Sequence, residues 1–540
     1  MGEFAFKLDS DLPLVDPPLS PPLPPVKESA PLGNDFLPTI RLEAGSIETI
    51  VDDMERALIG ANRGLYQRSG MIVSVGHEPA LAAHGRDVVV QRIAERGDHA
   101  LLEDISASAR FERFDARVKD FVTKDPPMAL AKTLKERFGR LRLPVLTGVV
   151  NAPTMRADGS LLTKAGYDAS TGLLFDPLNV DFPPVGERPA RRDAEEALAS
   201  LSGLVASFPF IEEMDRSVAL SAILTACVRR SLPTAPLHAY TAPVAGSGKS
   251  KLVDVASVIA FGHEAAVLAQ GHTEEELEKR LGAVLMSGDG AVSLDNCERP
   301  LSGELLCQML TQTRVLPRIL GKSEVPDLST NIFVSATGNN LRLAGDLTRR
   351  AVLCRLDPKV ERPETRVFEW EPVCVAKSRR PDFVIAALTV LRAFHVAGRP
   401  GLPPALGSFE AWSDLVRGAL LWLECADPVA TMDELRKADP RLDDLQSVAA
   451  QWRAHVGSDR VTVAEIVKLA TEPTFPDYGD KSAFVRSDFR EALMAVASHG
   501  GVINGRRLGK WLSANERRIV DGACFQNIDS KQGVAVWVLR

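Results

Sequence analysis

The run Gly246-Ser247-Gly248-Lys249-Ser250 holds the residue types that grip a phosphate. Glycines let backbone N–H groups turn inward around phosphate oxygens, and a helix beginning there adds its partial positive charge. Lys249 can reach the terminal phosphates of a nucleotide, and the Ser250 hydroxyl can ligate Mg²⁺. Ala245 and Lys251 flank the run and complete the candidate nucleotide contacts. The usual spacing asks for a glycine five residues before Gly248, where this chain has Pro243. A GSG turn that merely caps a helix is therefore the competing reading.

Asp295 closes the β-rich run GAVSLDNCERP. An acid at the carboxyl end of a strand beside such a loop can hold Mg²⁺ through its water shell. Asn296 stands where a glutamate that activates water is often placed, and an amide cannot accept the proton; Glu298 is the nearest acid that could substitute. Read alone, the segment is an ordinary strand ending in an Asp-Asn turn. The run TNIFVSATGNNLRL ends in Asn339 and Asn340. An amide there can orient the attacking water, with Asn339 the first choice and a bare GNN turn the alternative.

GDLTRRAVLCRLD reads as a short helix ending in Arg349 and Arg350, followed by a strand. Paired arginines at a helix end are usually a solvated cap. Where copies of a chain meet, such an arginine can instead stabilise charge on a neighbour's nucleotide. TRVLPRILGKSEVPDLST reads as a hairpin whose Arg314, Arg318 and Lys322 could touch a nucleic-acid backbone; a solvated edge hairpin is equally supported. Near the C-terminus Arg506, Arg507 and Lys510, with Arg486, Arg490, Arg517 and Arg518, make a basic face that could rest on DNA phosphates, or simply be solvated. Trp511 and Trp537 read as core.

These residues need elements to place them. From Pro236 short apolar strands alternate with helices, as a parallel α/β sheet requires. Before it, residues 37–185 read as an α+β domain: a helix capped by Ser46, strand-like runs GLYQRSGMIVSV and DHALLEDIS, and a helix near 127–138. Residues 186–235 read as a helical linker, 236–375 as the α/β core, 376–440 as helical, and 441–540 as a helix-rich domain closing on the strand GVAVWVLR. The proline-dense residues 1–36 read as a disordered tail. At 540 residues, with 45% hydrophobic and 25% charged, the chain has material for several cores. Seven dispersed cysteines without a CxxC pair argue against a disulfide framework or a zinc site. No apolar run is long enough to span a membrane and no leader is evident, so a cytoplasmic location is expected. With net charge −7, any basic nucleic-acid surface must be local.

The ordered set (phosphate loop, LDN, basic hairpin, strand-GNN, DLTRR-strand) resembles the AAA+ ATPases of the superfamily 3 type, specifically the helicase module of phage and mobile-element primase–helicases. LYQRSGMIV and LTGVVNAPTMRADGSLLTKAGYDASTGLL resemble the helicase-associated domain of those proteins, and RLDPKVERPETRVF and LGSFEAWSDLVRGALLWLECADP also look typical. The resemblance implies a multidomain chain: an α/β P-loop ATPase core, an N-terminal α+β helicase-associated domain, a helical region and a C-terminal winged-helix-like domain. It implies ATP and Mg²⁺ at Lys249, Ser250 and Asp295, and Asn339 as sensor of the γ-phosphate. It further implies Arg349 or Arg350 as the finger reaching a neighbouring subunit, and Lys322 as the translocating hairpin contact. The expected partners are single-stranded and forked DNA, further copies of the chain in a ring (a hexamer), and a primase on a separate chain. The expected activity is ATP-dependent DNA unwinding during replication of a mobile element. The alternative is a nucleotide-gated DNA-binding or loader ATPase that does not unwind.

Overall fold

The computed structural model describes residues 37–81, 87–317, 327–365, 370–474, 484–531 and 534–540. The proline-dense segment 1–36 lies outside the described residues, as do Arg318 and Lys322. The chain forms two compact units, residues 37–149 with 167–174, and residues 150–166 with 175–540.

The first unit is α+β. Helices Ile47–Gly60, Asp98–Ser108 and Met128–Lys135 bury Val51, Met54, Leu58, Leu101, Ile105 and Leu134 in one cluster. The run DHALLEDIS, expected as a strand, is helical, because Leu101, Ile105 and Ser108 recur at helical spacing on the buried face. Ser46 precedes the first helix, but its side chain makes no capping hydrogen bond.

The second unit is built on one parallel sheet. Its elements run α1 (Glu213–Val228), β1 (Leu237–Ala242), α2 (Lys249–Phe261), β2 (Ala266–Ala269), α3 (Glu274–Ser287), β3 (Ala291–Asp295), α4 (Glu304–Thr311), β4 (Phe333–Asn339), β5 (Ala351–Arg355) and α5 (Arg380–Val396). The strand order is β2-β3-β4-β1-β5, every neighbour parallel. Leu237, Ala239, Val292, Leu294, Phe333, Val334, Val352 and Cys354 are all buried, as strands covered on both faces demand. Residues 150–166 belong with this unit rather than with the N-terminal domain in which they were expected. Met155 joins its core, Thr154 Oγ1 donates to the Cys227 carbonyl at 2.8 Å, and Arg380 donates to Asn151 Oδ1 at 2.7 Å.

The base of the expected hairpin is present, Arg314–Val315 pairing antiparallel with Leu328–Ser329. Arg229, wholly buried, donates to the carbonyls of Thr330 (2.8 Å) and Ile332 (3.0 Å), and so fixes the chain between hairpin and β4.

His238 on β1 is also wholly buried, its Nε2 3.0 Å from Ser221 Oγ and its ring against Phe333 and Trp412. Burial pushes its pKa from 6.5 down to about 3. As pH falls below 6.5 the unfolded chain takes up this proton and the folded chain does not, so the contribution is full above pH 6.5 and is lost toward pH 3. His238→Gln should therefore flatten the acid side of the stability profile, removing about 2 kcal/mol of the loss between pH 6.5 and pH 5. Urea melts at the two pH values read this directly, and an unchanged slope would refute it.

The C-terminal part contains α6 (Pro440–His455), α7 (Val463–Ala470), α8 (Ser487–Ala497) and α9 (Gly505–Ala514). They pack with a small antiparallel sheet in which β7 (Val534–Leu539) lies between Val461–Thr462 and β6 (Phe525–Lys531). Trp452, Phe489, Phe525 and Trp537 fill a separate core, with half-buried Trp511 edge-on to Phe525. All seven cysteines are free thiols, three of them (Cys227, Cys297, Cys354) buried and Cys374 exposed. Among the described residues no helix is long and apolar enough to cross a membrane.

Candidate nucleotide site

The carboxyl edge of the sheet gathers the singled-out residues. β1 runs into the glycine loop; its register sets Ala242 beside Asn339, and that of β2 sets Ala269 beside Asp295. From β1 the chain crosses to the far edge at β2, and from β4 it crosses to the opposite side at β5. Such a reversal opens a crevice at the strand ends, where α/β sheets bind ligands. Gly246 (φ +74°) and Gly248 (φ +96°) adopt the left-handed conformation, and Gly248 immediately precedes α2. A Cβ on Gly248 would lie 3.0 Å from the Phe208 ring, so the loop is packed as well as turned.

Lys249 is only 8% exposed. Its Nζ donates to the Val244 carbonyl at 3.1 Å and to Asn339 Oδ1 at 2.8 Å, both neutral oxygens. Burial lowers its pKa, opposed by the charge of nearby Asp295. Among the described residues no carboxylate is bonded to it, so this buried cation faces the crevice without a paired anion. A phosphate group fits that need.

Asp295 Oδ1 accepts from Ser250 Oγ at 3.1 Å and from Thr337 Oγ1 at 2.5 Å. Thr337, 2% exposed, also accepts from the Asn296 backbone N–H at 3.2 Å. Its hydroxyl orients the carboxylate, a role the sequence reading did not assign. Among the described residues no cluster of three or more acids, histidines or cysteines converges. The donor set is one carboxylate and one hydroxyl, which suits Mg²⁺ held jointly with phosphate oxygens and water.

Asn296 has φ +51° and donates through its amide to Glu298 Oε1 at 3.2 Å. The left-handed backbone accepts asparagine more readily than glutamate, which gives this departure from the usual acid a conformational basis. Asn340 likewise has φ +49°, and its N–H donates to the Ala242 carbonyl at 2.9 Å. Asn340 turns the chain, while Asn339 is the residue that reaches Lys249.

A cavity of about 550 Å³ opens over the loop, walled by Phe208, Pro209, Trp370 and Pro372. Lys251 lines the same cavity and donates to Glu371 Oε1 at 2.8 Å. The aromatic and proline walls come from two segments far from the loop in sequence, so no local motif announced them.

The remaining candidates sit elsewhere. Arg349 is half exposed and ion-paired to Asp346. Arg350 is largely buried; it donates to the Cys307 carbonyl at 2.6 Å and pairs with Asp346 at 2.5 Å. Neither lines the cavity of its own chain. Arg314 pairs with Asp327 at 2.6 Å at the hairpin base. On α9 Arg506 and Lys510 are exposed, and among the described residues neither has a partner. Arg507 is partly committed, donating to the Ser498 carbonyl at 2.6 Å. Arg486 pairs with Glu472, Arg490 stacks on Phe484, and Arg518 lies 3.8 Å from Asp439.

No family model matches the chain, and no curated protein matches it. Among solved structures, the A form apo structure of the NrS-1 C terminal region aligns over 90% of this chain and 98% of that one, with 10% identity and a TM-score of 0.35. A structure of NrS-1 residues 305–718 aligns over 83% and 100%, with 11% identity and a TM-score of 0.33. A JCV helicase structure aligns over 49% and 72%, with 12% identity and a TM-score of 0.21. Likeness at this level supports no assignment, and the functional reading rests on the chain's own geometry.

Proposed function

We propose that the chain is an ATP-dependent DNA helicase working as a ring of identical subunits. The observation that carries this reading is the buried, anion-seeking Lys249 bonded to Asn339, beside Ser250 and Thr337 converging on Asp295. Lys249 and the loop N–H groups would hold the β- and γ-phosphates of ATP, and Ser250 and Asp295 would hold Mg²⁺. Bound there, Mg·ATP supplies the phosphoanhydride whose hydrolysis drives the motor. Asn339 would orient the attacking water, and Glu298, which accepts from the Asn296 amide, would be the acid to take its proton. Arg349, exposed at the end of its short helix, is the side chain available to an adjacent copy's nucleotide. The hairpin rooted at Arg314–Val315, carrying Arg318 and Lys322, would track one DNA strand. Arg506 and Lys510 would rest on duplex phosphates ahead of the motor.

The test is ATP turnover with and without single-stranded DNA, alongside strand separation on a fluorescently labelled fork. Stimulated turnover with strand separation is expected. A second reading, a nucleotide-gated loader, is favoured by Asn296, whose amide cannot serve as base. ATP-dependent DNA binding with negligible turnover would select that reading, and absence of affinity for adenine nucleotide would overturn both.

A further inference from the structure

The first unit carries an aromatic and basic face that the nucleotide site does not use. Its three-stranded sheet consists of Thr39–Arg41, Arg110–Asp115 and Asp120–Thr123. Ile40 pairs with Phe111 on the side turned to the core, where they are 3% and 2% exposed. Alternation then puts Arg41, Glu112, Phe114 and Phe121 on the outer side, Phe114 directly opposite Phe121. Phe114 is 54% exposed and meets the Phe121 ring edge-on at 5.6 Å. The Arg41 guanidinium lies 4.2 Å from the Phe121 centroid. Beside these rings a groove of about 630 Å³ is lined by Leu42, Ile47, Arg113 and Pro127.

An exposed phenylalanine paired with a half-covered one and continuous with a groove offers apolar surface to a partner. The charge around it selects the occupant. Residues 110–124 hold five basic side chains (Arg110, Arg113, Arg117, Lys119, Lys124) against three acidic ones (Glu112, Asp115, Asp120), in a chain whose net charge is −7. Arg117 and Lys119, in the turn that joins the strands of Phe114 and Phe121, are exposed, and among the described residues neither is ion-paired. Flat rings spaced along a sheet, with cations beside them, match the alternation of bases and phosphates in an unpaired strand. A duplex hides its base faces and cannot use Phe114.

We propose that this sheet face binds single-stranded nucleic acid, with one base stacked on Phe114, the next on the Arg41–Phe121 pair, and phosphates along Arg117 and Lys119. The surface is separate from the nucleotide site and stands whether or not ATP is hydrolysed there.

The test uses the full chain without nucleotide and three fluorescein-labelled probes: a 15-mer of dT, the same length of U, and a 15-base-pair duplex. Tighter binding of the single strands than of the duplex is expected, and the tighter of dT and U names the natural strand. Phe114→Ala should weaken single-strand binding about tenfold, Phe114→Trp should restore it, and binding of a fluorescent ATP analogue should not change. In the unaltered chain, 4-thiothymidine placed in the dT probe should cross-link to the segment 111–124, a readout that survives even if a variant misfolds. Parental affinity in a folded Phe114→Ala chain, equal affinity for the duplex, or cross-links confined to other segments would overturn the proposal.

Discussion

Lys249→Ala is expected to lower ATP turnover by about 10²- to 10³-fold, the scale of losing one preorganised donor to transition-state charge. The ammonium is buried against two neutral oxygens, so a phosphate bound at the loop would be its favourable partner. Burial already lowers its pKa, which means the free protein holds this charge at a cost. Removing it should therefore leave the melting temperature unchanged or slightly raised while nucleotide affinity and strand separation collapse. That opposite movement of stability and activity distinguishes a lost contact from a damaged fold. Calorimetric titration with an ATP analogue, turnover and a thermal melt of the same sample read all three. Turnover within tenfold of the parent would remove the foundation of the nucleotide reading.

Arg349→Ala is expected to leave nucleotide binding in place and reduce turnover by about 10³-fold or more, the magnitude of an arginine supplied across an interface. The geometry separates the two neighbouring arginines. Arg350 is tied to the Cys307 carbonyl and to Asp346 and is mostly enclosed, whereas Arg349 is half exposed at the same turn. Arg350→Ala should instead destabilise the fold by about 1–3 kcal/mol, because it removes a largely buried charged hydrogen bond to the Cys307 carbonyl and the ion pair to Asp346. Mixing Lys249→Ala chains with Arg349→Ala chains supplies the decisive reading. A Lys249→Ala subunit still offers its arginine to an Arg349→Ala neighbour, so mixtures should recover turnover that neither variant has alone. Absence of recovery, or loss of turnover in Arg350→Ala without any change in melting, would reverse the assignment.

What could be read ahead of the structure was local and periodic. The glycine loop, the apolar strands ending in Asp295 and Asn339, and the helix after Ser250 follow from residue order, because turn and strand preferences act over a few neighbours. The failures have equally specific causes. DHALLEDIS is too short for its buried spacing to distinguish helix from strand before the partners of Leu101 and Ile105 are known. Residues 150–166 carry the same strand-and-turn composition on either side of the unit boundary, and only the partners of Thr154 and Asn151 settle where they pack. That the last hundred residues hold helices and a closing strand was legible in their patterning. The pairing of β7 with Val461–Thr462, across some seventy intervening residues, was not.

By themselves, the amino acids determined that this chain has a glycine loop at a strand–helix junction and acid and amide side chains at the ends of two further strands. Tertiary structure alone decided which of them act together. Strand order places β4 between β1 and β3, so Asn339 rather than Asn340 meets Lys249, and Thr337 rather than a neighbouring acid orients Asp295. It also brought Phe208 and Trp370 over the loop and turned Phe114 and Arg41 outward on one sheet face. The reason is physical: dihedral preferences and side-chain periodicity are short-ranged, whereas hydrogen bonds between distant strands exist only after the whole apolar core has closed around them.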